Sequence, residues 1–132
     1  MVAVERAIGI LEESGVFNAG RGAYRQLDRV RRMDASIMEG KGLRAGAVAS
    51  VEGIVHPITA ARLVMEKTDH VLLVGPSATK FARHFKLQRL QRTRPRPRVP
   101  YNRLLAARLV TGERHGTVGA VALDRTGTVS AG

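Results

Sequence analysis

A chain of 132 residues with 44% apolar side chains is long enough for one globular domain and too apolar for a disordered one. The absence of cysteine excludes disulfides and thiolate metal sites, and no apolar run approaches the roughly 20 residues of a membrane-spanning helix. The formal charge of +11 is uneven, because residues 83–132 carry 11 Lys and Arg against 2 acids. No signal-peptide pattern is present, so we expect a cytoplasmic protein without a membrane partner.

The N-terminal third predicts a helix, a glycine-rich loop and two strands. Apolar side chains recur at helical spacing over residues 2–14, and Gly15 supplies a stop signal. After the loop FNAGRGAY, the stretch RMDASIMEG alternates apolar and polar side chains, which is the pattern of a half-buried strand. RAGAVASVEGI then predicts a second strand.

The middle third alternates helix and strand. Pro57 fits the first turn of a helix that ends at about Lys67, because the N–H that proline lacks would have no partner there anyway. HVLLVG predicts a short apolar strand, and Ser77 is placed to cap the helix after it. The predicted fold class is therefore mixed α/β, without strict βαβ regularity.

Arginine and proline dominate residues 87–100, where alternating proline removes backbone donors and prevents a regular element. We interpret this stretch as a linker. Its charge leaves a second interpretation open, a non-enzymatic nucleic-acid-binding arm formed by residues 83–98. Between Phe85 and Tyr101, however, no aromatic side chain is present to stack on bases. Beyond it, TVGAVALD and TVSAG flank the turn DRTG and predict a β-hairpin.

The sequence does not match two common kinds of functional motif, a dinucleotide-binding loop and a histidine metal site. GRGAYR places Arg25 where a dinucleotide-binding loop needs its third glycine. The four histidines have no acidic or histidine partner at metal-ligand spacing, so we expect surface or strand-end positions for all of them: His56, His70, His84 and His115.

Five motifs in order resemble the isoaspartyl peptidase and plant-type L-asparaginase family of N-terminal nucleophile hydrolases. They are FNAGRGA, MDASIMEG, AGAVA, HPITAARLVMEKTDHVLLVG and HGTVGAVALD. The resemblance implies part of a four-layer αββα sandwich. Residues 1–116 would be an α-subunit-like region and residues 117–132 the start of a β-subunit-like region, with residues 83–114 as a basic, variable linker.

Members of this family cut themselves before a threonine, and the matching bond here is Gly116–Thr117. The resemblance makes Thr117 the expected nucleophile. A threonine hydroxyl needs a base, and cleavage would free the Thr117 α-amino group, whose reference pKa is about 7.7 to 8.0. Gly116 lacks a Cβ that would obstruct the attack on its carbonyl. The implied reaction is hydrolysis of L-asparagine or of β-aspartyl (isoaspartyl) peptides, with no catalytic cofactor.

The resemblance also implies residues that support the site. Asn18 matches the motif asparagine beside the nucleophile, and Asp34 matches an acidic residue that we expect to be structural. A sodium ion would be held by backbone carbonyls, which hard cations accept as ligands. The matching carbonyls belong to Leu11, Glu12, Ser14, Phe17, Ala19 and Arg21.

Some family motifs have no counterpart in these 132 residues. They are the opening HGGAG strand and a Thr-Ser-Thr-Gly-Gly segment that contains a second active-site threonine. The Arg and Asp that bind the substrate and the Thr-Gly pair of the oxyanion hole also have no match. We therefore expect this chain by itself to be an incomplete, inactive fragment. The resemblance implies that the full-length protein is a dimer of αβ units.

Overall fold

A five-stranded sheet organises the residues that this computed structural model describes, 1–91 and 116–132. In chain order the elements are helix α1 (Val2–Ser14), a short 3-10 helix (Gly20–Gly22), strands β1 (Arg32–Glu39) and β2 (Arg44–Glu52), helix α2 (Pro57–Lys67), strand β3 (Leu72–Val74), helix α3 (Gly75–His84), and strands β4 (Val121–Leu123) and β5 (Val129–Ala131). The strand order is β3-β2-β1-β5-β4. Neighbouring strands are antiparallel except β2 and β3, which are parallel and connected through α2.

Local sequence signals place most element ends where they were predicted. Gly15 follows α1 with a φ of 73°, a left-handed conformation that glycine adopts easily and that ends the helix. Helix α2 begins at Pro57 and ends at Lys67, as predicted. Strand β1 buries Met33 and Ile37, which confirms the alternating pattern.

Strand β3 and helix α3 form, but two details differ from the prediction. The cap assigned to Ser77 is wrong: α3 begins at Gly75, so Ser77 lies inside the first turn, and the N-cap residue Val74 makes no side-chain hydrogen bond. Strand β3 lies at an edge of the sheet, and the side chains of Leu72 and Val74 are about half exposed there.

A bulge interrupts the pairing of β1 with β2 between Met33 and Ala35. Opposite it, Ser50 adopts a φ of 53°, and its N–H donates a hydrogen bond of 2.7 Å to Asp34 Oδ1. The carboxylate gives this backbone donor a partner where the ladder is disrupted. Asp34 therefore has the structural role that we expected.

The predicted hairpin consists of β4 and β5 around residues 124–127. Asp124 Oδ1 orders the turn by accepting hydrogen bonds from the N–H groups of Thr126 and Thr128, at 2.8 and 2.9 Å. Strand β5 joins the sheet through Met38 and Glu39 of β1. The hairpin is thus fixed to the same sheet as the N-terminal strands.

Helix α2 lies directly on β2. A Cβ on Gly46 would collide with the backbone of Ala61 and would lie 2.6 Å from Met65 Cβ, so a residue with a side chain does not fit here. Most of the core lies between the sheet and the helices. Its buried members include Val4, Ile8, Ile37, Val48, Val51, Ile54, Ile58, Val64, Ala78 and Ala82.

The opposite face of the sheet is apolar and exposed. Alternate side chains of the same strands point to this face: Met38, Leu72, Val74, Val121, Leu123 and Val129. Sheet-on-sheet packing buries faces of this kind, which agrees with one half of a four-layer αββα sandwich.

Residues 85–90 lead from α3 back to the β2–α2 connection. Val55 N–H donates to Gln88 O at 2.9 Å, and Leu90 N–H donates to Gly53 O at 3.1 Å. The start of the segment that we interpreted as a linker is therefore attached to the fold. The remainder of it, residues 92–114, lies outside the described residues, as do the basic residues of the possible nucleic-acid-binding arm from Arg92 onward.

Replacing Gly46 with alanine should destabilise the fold by about 1–3 kcal/mol, because the added Cβ overpacks the contact between α2 and β2. Gly9→Ala is the matched control. Gly9 lies within α1, and a Cβ there would be 3.8 Å from the nearest atom, His56 Nδ1. Better helix propensity should therefore stabilise that variant by about 0.5–1 kcal/mol. Urea unfolding of both variants measures the difference, and equal midpoints would contradict the close contact.

Candidate active site

A cavity of about 470 Å³ brings Thr117 together with Asn18. Its walls are the end of α1, the loop after it, the first half of β1 and residues 117–118. The first half of β1 pairs with β2 but has no strand neighbour on its other side, since β5 pairs with β1 only at Met38 and Glu39. The two residues assigned to the site from sequence, 99 positions apart, therefore share one cavity.

The hairpin determines where Thr117 lies. Ala120 and Gly132 exchange two backbone hydrogen bonds of 3.0 Å each, which extends the β4–β5 pairing toward Thr117. Thr117 itself precedes β4 and is exposed, and a Cβ on Gly116 would meet no atom within 4 Å. The predicted cleavage bond therefore lies in an accessible segment at the rim of the cavity.

The cavity lining offers no histidine or lysine as a base for Thr117 among the described residues. Its titratable carboxyl groups are those of Glu12 and Asp34, and both accept hydrogen bonds from backbone N–H groups. The hydroxyl of Thr117 forms no hydrogen bond within residues 1–91 and 116–132. Among the described residues, no side-chain base is therefore hydrogen-bonded to this hydroxyl.

Asn18 is oriented by the loop that carries it. Its Oδ1 accepts a hydrogen bond of 2.8 Å from Tyr24 N–H, which fixes the amide plane. The Nδ2 group keeps its two donors for the cavity, because the hydrogen bond to Tyr24 uses only the oxygen. An oriented amide donor next to Thr117 is suited to bind a carbonyl or carboxylate oxygen.

The side chain of Glu12 is a site residue that the sequence analysis missed. It is only 2% exposed, and it lines the cavity between α1 and the start of α2. Its Oε1 accepts a hydrogen bond of 3.2 Å from Ile58 N–H, so it caps α2 in place of the N-cap residue His56. Burial raises the pKa of this carboxyl to about 8, the Ile58 N–H partly opposes the shift, and the nearby Glu5 carboxylate adds to it.

His70 and His84 are exposed, as expected, and His115 lies outside the described residues, whereas the partly buried His56 has two acidic partners that are distant in sequence. Its Nδ1 lies 3.1 Å from Glu12 Oε2 and its Nε2 lies 3.4 Å from Glu13 Oε2. These contacts join residues 44 and 43 positions apart, so spacing along the chain could not reveal them. Within the part of the chain that the structure describes, no three His, Asp or Glu side chains form a metal site.

The predicted sodium ligands lie in the last turn of α1 and in the loop that folds back on it. The last carbonyls of a helix have no helical partners, and they form its negative pole. Gly20 approaches the carbonyl of Glu12, and Gly22 approaches that of Phe17, so closely that a Cβ at either position would collide with it. The carbonyls of Phe17 and Ala19 each accept one backbone hydrogen bond and retain a second lone pair. This oxygen-rich donor set fits a hard cation such as sodium.

The mixed α/β fold, with helices on one face of the sheet and an apolar surface on the other, is that of an N-terminal nucleophile hydrolase. A family model described as asparaginase matches residues 1–132, the whole chain. The chain therefore belongs to the asparaginase family, which confirms the resemblance seen in its motifs.

Curated relatives with similar sequences carry two activities in their names. A plant-type L-asparaginase of Pyrococcus furiosus is 45% identical over a match that covers 92% of this chain and 45% of the relative. An isoaspartyl peptidase of Escherichia coli is 40% identical over 97% of this chain and 44% of its own length. An isoaspartyl peptidase/L-asparaginase of Mus musculus is 41% identical over 97% of this chain and 41% of its own length. The chain thus spans less than half the length of these relatives.

None of the described helices has the length and apolar character needed to cross a bilayer.

Replacing Glu12 with alanine should destabilise the fold by about 2–4 kcal/mol, since it removes a buried side chain and leaves the Ile58 N–H without an acceptor. Glu12→Gln retains the shape and an acceptor oxygen, and we expect it to cost less than about 1.5 kcal/mol. The neighbouring Glu13→Ala is the control, because Glu13 is half exposed and its ion pair with Arg21 should contribute less than about 1 kcal/mol. Urea unfolding at neutral pH measures all three, and similar losses at positions 12 and 13 would contradict the capping role.

Proposed function

We propose that the whole protein hydrolyses the side-chain amide of L-asparagine, or the peptide bond of β-aspartyl peptides, with Thr117 as its nucleophile. The observation that supports this proposal is that Thr117 and Asn18 line the same cavity in a member of the asparaginase family. The names of the relatives support both substrates. Both present the same β-carbonyl carbon, so one site serves either.

Cleavage of the Gly116–Thr117 bond comes first. The Thr117 hydroxyl attacks the Gly116 carbonyl carbon, the C–N bond breaks, and the proton passes to the nitrogen, which becomes the free α-amino group. Water then hydrolyses the ester that links residues 116 and 117. The exposure of both residues and the missing Cβ of Gly116 leave room for this attack. This bond would also divide the α-subunit-like region from the β-subunit-like region.

The new α-amino group then serves as the base. In the cleaved protein it accepts the proton of the Thr117 hydroxyl, which attacks the β-carbonyl carbon of the substrate. The leaving group departs as ammonia or as the amine of the released peptide, and an aspartyl ester remains on Thr117. Water attacks this ester and releases L-aspartate. The lack of a histidine or lysine among the described lining residues supports this assignment of the base.

A bound sodium ion would order the loop that carries Asn18. The carbonyls of Leu11, Glu12, Ser14, Phe17, Ala19 and Arg21 would hold it, and its role would be structural. The ion pair between Arg21 Nε and Glu13 Oε1, at 2.6 Å, already braces this loop against α1. No catalytic step depends on the ion.

Thr117→Ala in the whole protein should abolish the cut between residues 116 and 117, because the attacking hydroxyl is removed. Thr126→Ala is the matched control, since this threonine lies in the turn of the same hairpin and its hydroxyl bonds Asp124 Oδ1. Mass spectrometry should detect a fragment that begins at residue 117 in the wild-type protein and in the control only. An uncut wild-type protein that still hydrolyses asparagine would overturn the proposal.

Asn18→Ala should reduce kcat for asparagine by at least about tenfold in the cleaved protein, because an oriented donor next to the nucleophile is lost. Asn18→Asp provides the comparison. It keeps the oxygen that Tyr24 N–H requires but lacks the amide donors, so it should be similarly impaired if the donor matters. Steady-state kinetics of ammonia release measure both variants. An unchanged kcat in both would exclude Asn18 from the site.

A further inference from the structure

A second cavity of about 470 Å³, which we call the arginine cleft, shares no lining residue with the Thr117 cavity. Five arginines line it, from the loop before β1, the end of α3 and the segment paired with residues 53–55: Arg25, Arg29, Arg31, Arg83 and Arg89. Distant parts of the chain thus converge on one concave and positively charged surface.

The acid in this lining does not neutralise the cleft. Glu52 is its one acidic residue within the described part of the chain, and its carboxylate lies 2.9 Å from Arg32 Nε. Arg32 is not one of the five arginines of the cleft. Within residues 1–91 and 116–132, the guanidinium groups of Arg29, Arg31, Arg83 and Arg89 form no ion pair. Like charges collected in a concave site repel one another and attract an anion.

Arg31 lines the cleft from the residue directly before β1. Its Nε is buried and has no hydrogen-bond partner among the described residues. The planar guanidinium fork of an arginine matches the oxygens of a phosphate group.

The backbone holds these arginines in place. Arg29 adopts a φ of 64°, which is unfavourable for a residue with a side chain. Hydrogen bonds from Arg29 N–H to Gln26 O, at 2.7 Å, and from Gln26 N–H to Val30 O, at 2.8 Å, fix this turn. Arg89 lies in the segment held against Gly53 by backbone hydrogen bonds. The backbone that carries Arg29 and Arg89 is therefore ordered beside the cleft.

The surroundings of the cleft favour a short chain of phosphates. Across Glu52 and Arg83 it adjoins a smaller groove at the start of α3, which is lined by Lys80 and by Gly75, Pro76 and Thr79. Helix N-termini favour anions, and α3 has no side-chain cap. The described lining of both cavities contains no aromatic side chain on which a nucleobase could stack.

We propose that the arginine cleft binds a small anion that carries several linked phosphate groups. Arg31 supplies a guanidinium group at the wall, and the exposed Arg83 and Arg89 supply the charge at the rim. The site is independent of the proposed hydrolytic activity, because no residue of the Thr117 cavity contributes to it.

Isothermal titration calorimetry of the whole protein with inorganic triphosphate tests this proposal. We expect saturable binding of one triphosphate per chain, weaker at high salt. Arg83→Gln/Arg89→Gln should bind at least about tenfold more weakly, since two charged donors to the anion are lost. Both side chains are exposed, so the variant should fold, and circular dichroism verifies this. Arg31→Lys keeps the charge but removes Nε, and should weaken binding by about threefold or more.

The matched control is Arg6→Gln/Arg125→Gln, which removes the same charge outside the cleft. It should change the affinity by less than about threefold, because screened charges act weakly at long range. Equal losses in the control and the cleft variant, or the absence of saturable binding, would overturn the proposal. It would equally be overturned if single-stranded DNA bound more tightly than triphosphate and Arg96→Gln/Arg98→Gln abolished that binding. That result would assign the charge to the basic run and to nucleic acid.

Discussion

The buried carboxyl of Glu12 connects the segments that surround the Thr117 cavity. The Glu12 side chain extends from the last turn of α1. Its carboxyl caps the first turn of α2 through Ile58 N–H and contacts His56, the N-cap residue of α2. The carbonyl of the same residue faces Gly20 in the loop that leads away from α1. One residue thus relates two helices and a loop, and the burial that raises its pKa is a consequence of this central position.

The hairpin contributes the remaining wall of the site. Its turn is ordered by Asp124, its second strand pairs with β1, and the Ala120–Gly132 hydrogen bonds continue the pairing toward Thr117. Thr117 is therefore positioned by a hairpin that belongs to the sheet, while Asn18 is positioned by the loop that follows α1. Sites that combine a rigid strand end with a supported loop hold reactive groups at defined distances.

Local patterns were sufficient for most of the secondary structure, because periodicity, Gly15 and Pro57 act over a few neighbouring residues. The motif resemblance predicted Thr117 and Asn18 as site residues, and both line the same cavity. It did not reveal the side-chain role of Glu12, since a buried glutamate that caps a helix 46 positions away has no local signature. The cap assigned to Ser77 was wrong because α3 begins at Gly75, two residues before that serine. The sequence showed a basic run from Arg83 onward, but only the fold brings Arg31 and its neighbours to that run.

The contact at Gly46 sets the distance between the helical layer and the sheet by backbone atoms rather than by side-chain volume. Most layered proteins can exchange a larger side chain for a smaller one across such a gap, and the layers shift to compensate. On the strand side of this crossing no side chain is present to exchange. A larger residue at position 46 would therefore have to tilt or displace α2, and the N-terminal turn that Glu12 caps would move with it.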